Sequence, residues 1–460
     1  MNNSPEIRRD PASYRDPSGF VFHQGGKIFR YINQQGVDDF QFFISSGLAD
    51  RLKTENLIAD FQIIESTSNS LTIEAEKIPF ISYPYEWSFS QLRDAALVTL
   101  KTNRISLDYG VILKDASAFN IAFHKGKALF IDHTSFTRYK ENSPWAAYKQ
   151  FCTNFLSPLY LMRYVDQRCL DLLKSDINGI ALDFASNLLP WYTFFIPQVL
   201  LHIHLHAKFD QRYSTDKTCS LPKDIPISRL KTLLDGIIGQ LETLTAPQNK
   251  TLWQNYYSNT NYSNKSFEFK KLAVEDFCSR HPSKLTFDIG ANIGVFSSIA
   301  AKYADWVISA DIDSAAVEEL YKLSKKEFFN IVPVRLDLFN PTAGYGLHNQ
   351  ERSSFFSRCQ GVDCCIALAL IHHLRVSGNW QITDIVKLFC GTGKNILVEF
   401  VPLEDEQMRQ LIRGRETIYQ DWTLENVVSH FAKEFSIIKT TKLPDSGRVL
   451  IELYGKNNTL

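Results

Sequence analysis

The second half of the 460-residue sequence predicts an α/β domain with a Rossmann-like, mostly parallel sheet and helices on both faces. Short apolar runs alternate there with amphipathic stretches, and this alternation is typical of strands covered by helices. A turn containing two glycines follows the first run, and acidic residues end the next two runs. Ligands of such sheets bind beyond the carboxyl ends of the strands. We therefore expect a binding site at that edge.

Five apolar runs predict the strands of this sheet. In chain order they are LTFDIG, WVISADID, IVPVRLDLF, DCCIALALIHHL and NILVEFV. The stretches NIGVFSSIAAKYA, SAAVEELYKLSKKE and ITDIVKLFC have helical spacing. The fourth strand is expected to span Val362 to Leu374 and to run into a loop.

Length and composition indicate at least two folding units and weigh against some partners. A chain of 460 residues exceeds the usual size of one domain. A polar, proline-containing segment and the following TAPQNKT place the boundary near residue 246, with an α+β N-terminal domain over 1–245 and the α/β domain over 246–460. Lys plus Arg equals Asp plus Glu at 50 each, so we expect no nucleic acid partner.

Nothing in the apolar patterning predicts a membrane span or a secretory signal. The N-terminus is charged and rich in proline where a signal would be apolar, so we expect a cytoplasmic protein. The most apolar stretch, Leu188 to His204, is interrupted by Pro190 and Pro197 and is shorter than the ~20 residues that a span needs. We expect a buried helical hairpin there. Histidines at 202, 204 and 206 would face different sides of a helix, so no metal site is predicted.

The sharpest motif is a glycine turn at the end of the first predicted strand. It runs from Asp288 through Gly290 and Asn292 to Gly294, directly before a predicted helix. Glycine lets the backbone turn tightly and approach a ligand without a side-chain clash. The second strand ends in acidic residues, Asp311 first, about 20 residues further on, which suits hydrogen bonding to a ribose diol. The dinucleotide spacing G-x-G-x-x-G is absent, which counts against a nicotinamide or flavin dinucleotide.

The third predicted strand also ends in an acidic residue, Asp337. Together with the glycine turn, the acidic strand ends at Asp288, Asp311 and Asp337 resemble those of the class I S-adenosylmethionine-dependent methyltransferases. In that family a D-x-G-x-x-x-G turn, here Asp288, Gly290 and Gly294, approaches the methionine part of the cofactor. The resemblance makes Asn292 a further contact within the turn.

The same resemblance assigns the other two acidic strand ends. Asp311 would accept hydrogen bonds from the ribose hydroxyls, and Asp337 with Leu338 would flank the adenine. Each acidic residue has another reading, because aspartates at strand ends also serve as loop carboxylates or helix caps.

The fourth strand supplies the catalytic candidates. By the family resemblance Ala367 would lie near the cofactor, and His372 and His373 follow the strand. Histidine can take a proton from a hydroxyl near neutral pH, so either residue is a candidate general base. The alternative is that both only shape the pocket. Glu399, at the end of the fifth strand, is a further candidate for substrate contact.

A narrower resemblance covers about residues 250 to 455. The segments WQNYYSNTNYS and FEFKKLAVEDF, followed later by IALALIHHL and ILVEFVP, are similar to the nodulation-protein NoeA-like methyltransferases. These motifs define a cofactor but no acceptor. Four aromatic residues ahead of the first strand are expected either to cover the cleft as a lid or to pack on the sheet edge: Trp253, Tyr256, Tyr257 and Tyr262.

The N-terminal half resembles a degenerate kinase-like fold. Asp115 lies five residues before Asn120, and a following strand ends at Asp132, as in the catalytic loop and metal-binding aspartate of kinases. No glycine-rich phosphate loop and no V-A-I-K lysine precede them, and His133 and Thr134 replace the usual Phe-Gly. The alternatives are a substrate-recruiting domain of another fold, or a simple turn at Asp115 and Asn120.

The predicted function is methyl transfer from S-adenosylmethionine to a small-molecule acceptor, with oxygen as the expected acceptor atom. A sulfonium is already activated, so such an enzyme mainly aligns the reacting atoms and removes a proton. The alternative is a non-catalytic binding or scaffold protein. No motif identifies the acceptor or the oligomeric state.

Overall fold

The computed structural model describes residues 8–215, 224–247 and 264–456. The chain divides into two compact units. The first comprises Met1–Gln248 together with Ala343–Ser353, and the second comprises Asn249–Thr342 together with Ser354–Leu460. A single boundary near residue 246 did not anticipate that residues 343–353 belong to the first unit.

Antiparallel pairing dominates the strands of the first unit. Five strands form one sheet in the order β1-β2-β3-β5-β4, and two further pairs, β6 with β9 and β7 with β8, follow it in the chain. The strands are β1 (Arg8–Arg9), β2 (Gly19–Gln24), β3 (Lys27–Ile32), β4 (Phe61–Ser66), β5 (Leu71–Ala75), β6 (Val111–Leu113), β7 (Ile121–His124), β8 (Lys127–Phe130) and β9 (Phe136–Arg138).

The α-helices of the first unit lie between and after these strands. They are α1 (Gln34–Ser45), α2 (Leu48–Thr54), α3 (Phe89–Ser106), α4 (Tyr148–Phe151), α5 (Ser157–Tyr164), α6 (Leu182–Leu188), α7 (Pro197–Val199), α8 (His206–Thr215) and α9 (Ile227–Thr243). The longest, α3, begins at a capping box in which Ser88 and Gln91 satisfy each other's backbone N–H groups.

The apolar stretch from Leu188 to His204 is only partly buried, whereas the sequence predicted a buried helical hairpin. Pro190 and Pro197 divide it into short helical pieces, because proline starts a helix but cannot continue one. Trp191 and Phe195 are 75% and 78% exposed. In the described part of the chain, no helix is both long and apolar enough to cross a membrane.

The histidines of this stretch have protein partners. His202 Nδ1 lies 2.6 Å from the Tyr148 hydroxyl, and His204 lies between the hydroxyls of Ser186 and Thr193 at 2.7 and 2.9 Å. Among the described residues, no group of three His, Cys, Asp or Glu side chains is arranged to hold a metal ion.

The second unit has the predicted α/β fold around one seven-stranded sheet. The first five strands run parallel in the order β12-β11-β10-β13-β14, and β16 lies antiparallel between β14 and β15. The strands are β10 (Ser283–Ile289), β11 (Ala304–Asp311), β12 (Ile331–Arg335), β13 (Cys364–Ala367), β14 (Asn395–Phe400), β15 (Phe435–Lys442) and β16 (Val449–Gly455).

Helices pack against this sheet, and buried apolar side chains from helices and strands form its core. The helices are α10 (Asn264–Arg280), α11 (Val295–Ala300), α12 (Ser314–Lys326), α13 (Phe355–Arg358), α14 (Ile371–Val376), α15 (Ile382–Cys390), α16 (Glu406–Ile412) and α17 (Leu424–Glu434).

The fourth predicted strand is shorter than its apolar pattern suggests. Pairing with β14 ends at Ala367, and Ala369 then adopts a left-handed conformation with φ of 50° that turns the chain into α14. His372 and His373 therefore lie on a helix rather than in a loop. The apolar run did not reveal the break because both the strand and the helix are buried.

Candidate functional site

A cavity of about 300 Å³ lies in the second unit at the carboxyl ends of β10, β11, β12 and β13. Its walls are mostly apolar, and three acidic side chains, Asp288, Asp311 and Asp337, face it. The structure thus brings together the three acidic strand ends that the sequence singled out. The apolar wall includes Phe296, Leu336, Leu338, Phe339, Leu368 and Leu374.

Gly290 and Asn292 of the glycine turn also line this cavity. Both have positive φ, 80° and 50° respectively. The Gly290 N–H donates to Ala310 O at 2.9 Å, and the Asn292 N–H donates to Asp311 Oδ2 at 2.8 Å. The turn is therefore fastened to the end of the neighbouring strand, so its backbone is held at the cavity wall.

Gly294 has a different part in the turn. It does not line the cavity but precedes α11 with φ of 89°, where a side chain would be strained. A Cβ at this position would overlap Leu320 of α12. The structure explains this glycine by the close approach of α12 to the start of α11.

Burial raises the pKa of two carboxyl groups at the cavity. Asp288 is 2% exposed and accepts a hydrogen bond from the Ser297 hydroxyl at 2.6 Å, yet desolvation raises its pKa to about 7. Desolvation also raises the pKa of Asp311 to about 6, although the backbone N–H groups of Asp313 and Asn292 donate to it. Both carboxylates would gain from a cationic or hydrogen-bond-donating ligand.

The remaining cofactor candidates lie at or behind the cavity wall. Asp337 is half-buried, and it accepts from the Phe339 N–H at 2.9 Å. Leu338 belongs to the apolar wall. Ala367 is fully buried within β13, and the residues that follow it, Leu368 and Ala369, form the wall instead.

The two histidines differ in their access to the cavity. His373 lines it, and desolvation with the nearby Arg448 charge lowers the pKa of His373 to about 4, so the ring is neutral near pH 7. His372 is fully buried and does not line the cavity. Within the described residues neither of its ring nitrogens has a hydrogen-bond partner. Only His373 is placed to meet a ligand.

A buried ion-pair network behind the cavity was missed from the sequence. Lys270 on α10 lines the cavity, and its Nζ lies 2.5 Å from Glu399 Oε2. Glu399 is also 3.7 Å from Arg448, whose Nε lies 2.7 Å from Asp405 Oδ2. Glu399 does not line the cavity, so its carboxylate serves Lys270 rather than a substrate. No local pattern distinguishes Lys270 from its neighbour Lys271.

The four aromatic residues expected to form a lid or to pack on the sheet edge lie outside the described residues. They are Trp253, Tyr256, Tyr257 and Tyr262.

The first unit assembles its own polar cluster from the kinase-like motif. Asp132 Oδ1 forms an ion pair with Arg30 Nη1 of β3 at 2.6 Å. Burial alone would raise the pKa of Asp132, but the Arg30 charge holds it below its usual value. Burial and the Asp132 charge raise the pKa of Asp115, which accepts from Gln150 Nε2 at 2.7 Å. Asn120 Nδ2 lies 3.5 Å from Ser135 Oγ.

Comparison with known sequences finds a relative of nearly the same length. The nodulation protein NoeA of Rhizobium meliloti (strain 1021) is 30% identical over 461 residues, which cover 97% of this chain and 96% of that protein. The chain belongs to the NoeA family. Both units of this NoeA-family protein are included in the alignment. No protein-family model matches the chain.

Solved structures similar to this NoeA-family protein include several methyltransferases. The N-methyltransferase NodS from Bradyrhizobium japonicum WM9, in complex with S-adenosyl-L-homocysteine, is 10% identical, with 46% of this chain and 94% of that chain covered and a TM-score of 0.33. Magnesium protoporphyrin IX methyltransferase from Synechocystis PCC 6803 is 13% identical, covering 44% and 92%, with a TM-score of 0.31. The bifunctional kinase-methyltransferase WbdD is 14% identical, covering 45% and 43%, also at 0.31. These low identities and TM-scores assign no role to any residue of this chain.

The second unit of this NoeA-family protein is an α/β domain with the topology of doubly wound folds. Its parallel strands follow the order 3-2-1-4-5 of doubly wound folds. The cavity combines an apolar wall with buried carboxylates, which suits a cofactor that carries an adenine, a ribose diol and an ammonium group.

The raised carboxyl pKa values predict how the stability of the cofactor-free protein depends on pH. Between the ordinary carboxyl range near pH 4 and about pH 7, the folded state holds a proton on Asp288 that the unfolded chain releases. Stability therefore decreases as pH rises through this window. Asp288→Asn should be more stable than the wild type at pH 8, on the order of 2 to 4 kcal/mol, and the difference should shrink to about 1 kcal/mol or less at pH 4. Chemical denaturation at several pH values measures this.

A matched control for that experiment is Asp305→Asn. Asp305 is an exposed carboxylate near the opposite end of β11, so its substitution controls for the loss of one aspartate from the same sheet. A constant difference between Asp288→Asn and wild type from pH 5 to pH 8 would contradict a buried carboxyl with a raised pKa.

Proposed function

We propose that the protein transfers a methyl group from S-adenosylmethionine to a hydroxyl group of a small-molecule acceptor. The observation that carries this proposal is the neutral imidazole of His373 in the same cavity as Gly290 and Asp311. An alcohol is a weak nucleophile that must lose its proton as it attacks, so an oxygen acceptor needs a base at this place. The zero net charge favours a small molecule over a nucleic acid.

We assign the cofactor contacts to the residues that face the cavity. The Asp311 carboxylate takes the ribose hydroxyls, and the apolar Leu338 with Asp337 flanks the adenine. Asp288 and the backbone at Gly290 and Asn292 hold the amino-acid end. Asp311 supports this role because each of its oxygens already accepts one backbone N–H, which fixes the carboxylate in one orientation toward the cavity.

The charge change during the reaction suits a base of low pKa. When bound, the cofactor supplies a methyl group on a positively charged sulfur. As the methyl group moved to the acceptor oxygen and the carbon–sulfur bonding pair stayed with sulfur, an imidazole nitrogen of His373 would take the hydroxyl proton. The positive charge lost at sulfur would be matched by the charge gained on the imidazole, so the cavity would hold one positive charge throughout. A cavity that disfavours added charge therefore does not oppose proton transfer to His373.

We further propose that the first unit is a kinase-like module without phosphotransfer activity. Its antiparallel sheet, followed by a long helix and two short strand pairs that carry Asp115, Asn120 and Asp132, supports the kinase-like reading. The donor set does not fit a magnesium nucleotide. Arg30 already neutralises Asp132, the residue that would have to ligate the metal. This unit is then a binding module, for the acceptor or for a partner.

Asp311→Ala should weaken binding of S-adenosylhomocysteine at least about 10-fold, because the ribose loses a charge-assisted hydrogen-bond acceptor in a desolvated site. Isothermal titration calorimetry measures the affinity, and circular dichroism checks that the fold is intact. Asp305→Ala is the matched control from the same strand. Unchanged affinity in a folded Asp311→Ala protein would sink the ribose assignment.

His373→Ala should lower kcat for an oxygen acceptor by about 100-fold or more through loss of the base, with a much smaller change in cofactor affinity. His430→Ala, on α17 away from the cavity, should retain the wild-type kcat. The pKa of His373 is about 4, so its imidazole remains mostly neutral down to pH 5. Protonation of His373 should therefore not lower kcat between pH 8 and pH 6. Wild-type turnover in His373→Ala would instead favour an acceptor that needs no base, such as a neutral amine.

Titration of the full chain with magnesium and ATP should show no saturable binding tighter than about 1 mM, since Asp132 is already paired with Arg30. Arg30→Gln tests whether the ion pair prevents binding, because the substitution removes the positive charge that neutralises Asp132. This variant should bind magnesium more tightly than the wild type. Tight, magnesium-dependent ATP binding by the wild type would overturn the assignment of the first unit as inactive.

A further inference from the structure

A buried ammonium group in the wall of the methyltransferase cavity has no place in the assignments made so far. Lys270 lies on α10, ahead of the first strand of the sheet, and is only 3% exposed. Its Nζ is 2.5 Å from Glu399 Oε2 and 4.9 Å from the centre of the Phe296 ring, which also lines the cavity. The lysine thus brings a positive charge to a mostly apolar wall.

Burying an ammonium group is costly unless its charge is balanced. Lys270 and Arg448 carry two positive charges, and Glu399 with Asp405 carries two negative charges, so the network is neutral by itself. Burial lowers the pKa of Lys270, and the Glu399 carboxylate opposes this shift while it holds the ammonium group in position. Lys270 therefore contributes positive potential at the cavity wall.

The opposite charge lies nearby in the same cavity. Lys270 and Asp288 both line it, and their charges interact, since Lys270 lowers the pKa of Asp288 against the effect of burial. An amino-acid group carries one carboxylate and one ammonium group a few bond lengths apart. A lysine and an aspartate in the wall of one cavity therefore form a complementary pair for a bound zwitterion.

We propose that Lys270 binds the carboxylate of the cofactor's amino-acid end while Asp288 binds its ammonium group. This inference rests on S-adenosylmethionine being the cofactor, and it adds a residue that none of the strand-end motifs contains. Lys270 would then determine cofactor specificity, because a nucleoside thioether without the amino-acid end has no carboxylate for Lys270 to bind.

The competing explanation is that Lys270 only balances Glu399 in the protein interior. Lys270→Met alone does not separate the two, because it leaves the Glu399 charge buried and repelling the ligand. The double variant Lys270→Met/Glu399→Gln removes both charges and keeps the side-chain volumes close to the originals. Lys271→Met is the matched control, since Lys271 is the next residue on α10 and pairs with Glu268.

The experiment is calorimetric titration of the full chain with two probes, S-adenosylhomocysteine and 5′-methylthioadenosine, which lacks the amino-acid end. We expect the double variant to lose about 30-fold or more in affinity for S-adenosylhomocysteine, as for a buried charge pair that has lost one partner. Its affinity for 5′-methylthioadenosine should stay within about threefold of the wild type, and Lys271→Met should match the wild type for both probes.

Other outcomes contradict the assignment in distinguishable ways. Wild-type affinity for S-adenosylhomocysteine in the double variant, or an equal loss for both probes, would overturn the role of Lys270 while leaving the cofactor intact. If the wild type itself bound neither probe, the cofactor would be wrong and the inference would fail with it.

Discussion

Parallel pairing of β10 with its two neighbours is the constraint on which the cavity of the second unit depends. Asp288 pairs in register with Ser309 of β11 and Ile366 of β13, so three strands end at the same level. Because helices cover both faces of a parallel sheet, the chain must turn at this edge after each strand. The glycine turn, the acidic residues and the start of α14 meet there for that reason.

The chemistry of the cavity follows from carboxyl groups held in an apolar, desolvated wall. Asp288 and Asp311 have raised pKa values because burial disfavours their charged forms. A ligand that supplies positive charge and hydroxyl donors would offset this desolvation cost, and the cofactor proposed above supplies both. The same desolvation keeps His373 neutral, which is the form that a general base requires.

The surroundings of an aspartate that ends or follows a strand shift its pKa in opposite directions in the two units. In the second unit Asp288 faces a cavity with a raised pKa, which suits a ligand that brings its own positive charge. In the first unit Arg30 supplies the positive charge from within the protein and lowers the pKa of Asp132. This contrast is the physical basis for assigning chemistry to one unit and binding to the other.

The sequence by itself determined the α/β class of the second unit, the succession of its first five strands along the chain, and the acidic strand ends, because periodicity and turn residues are local signals. Only the tertiary structure decided that His373 reaches the cavity while its neighbour His372 does not, and that Gly294 serves helix packing. It also decided that Lys270, rather than Lys271, joins Glu399 from 129 residues away. Such choices depend on which face of an element is covered and on contacts distant in sequence, and neither leaves a local pattern.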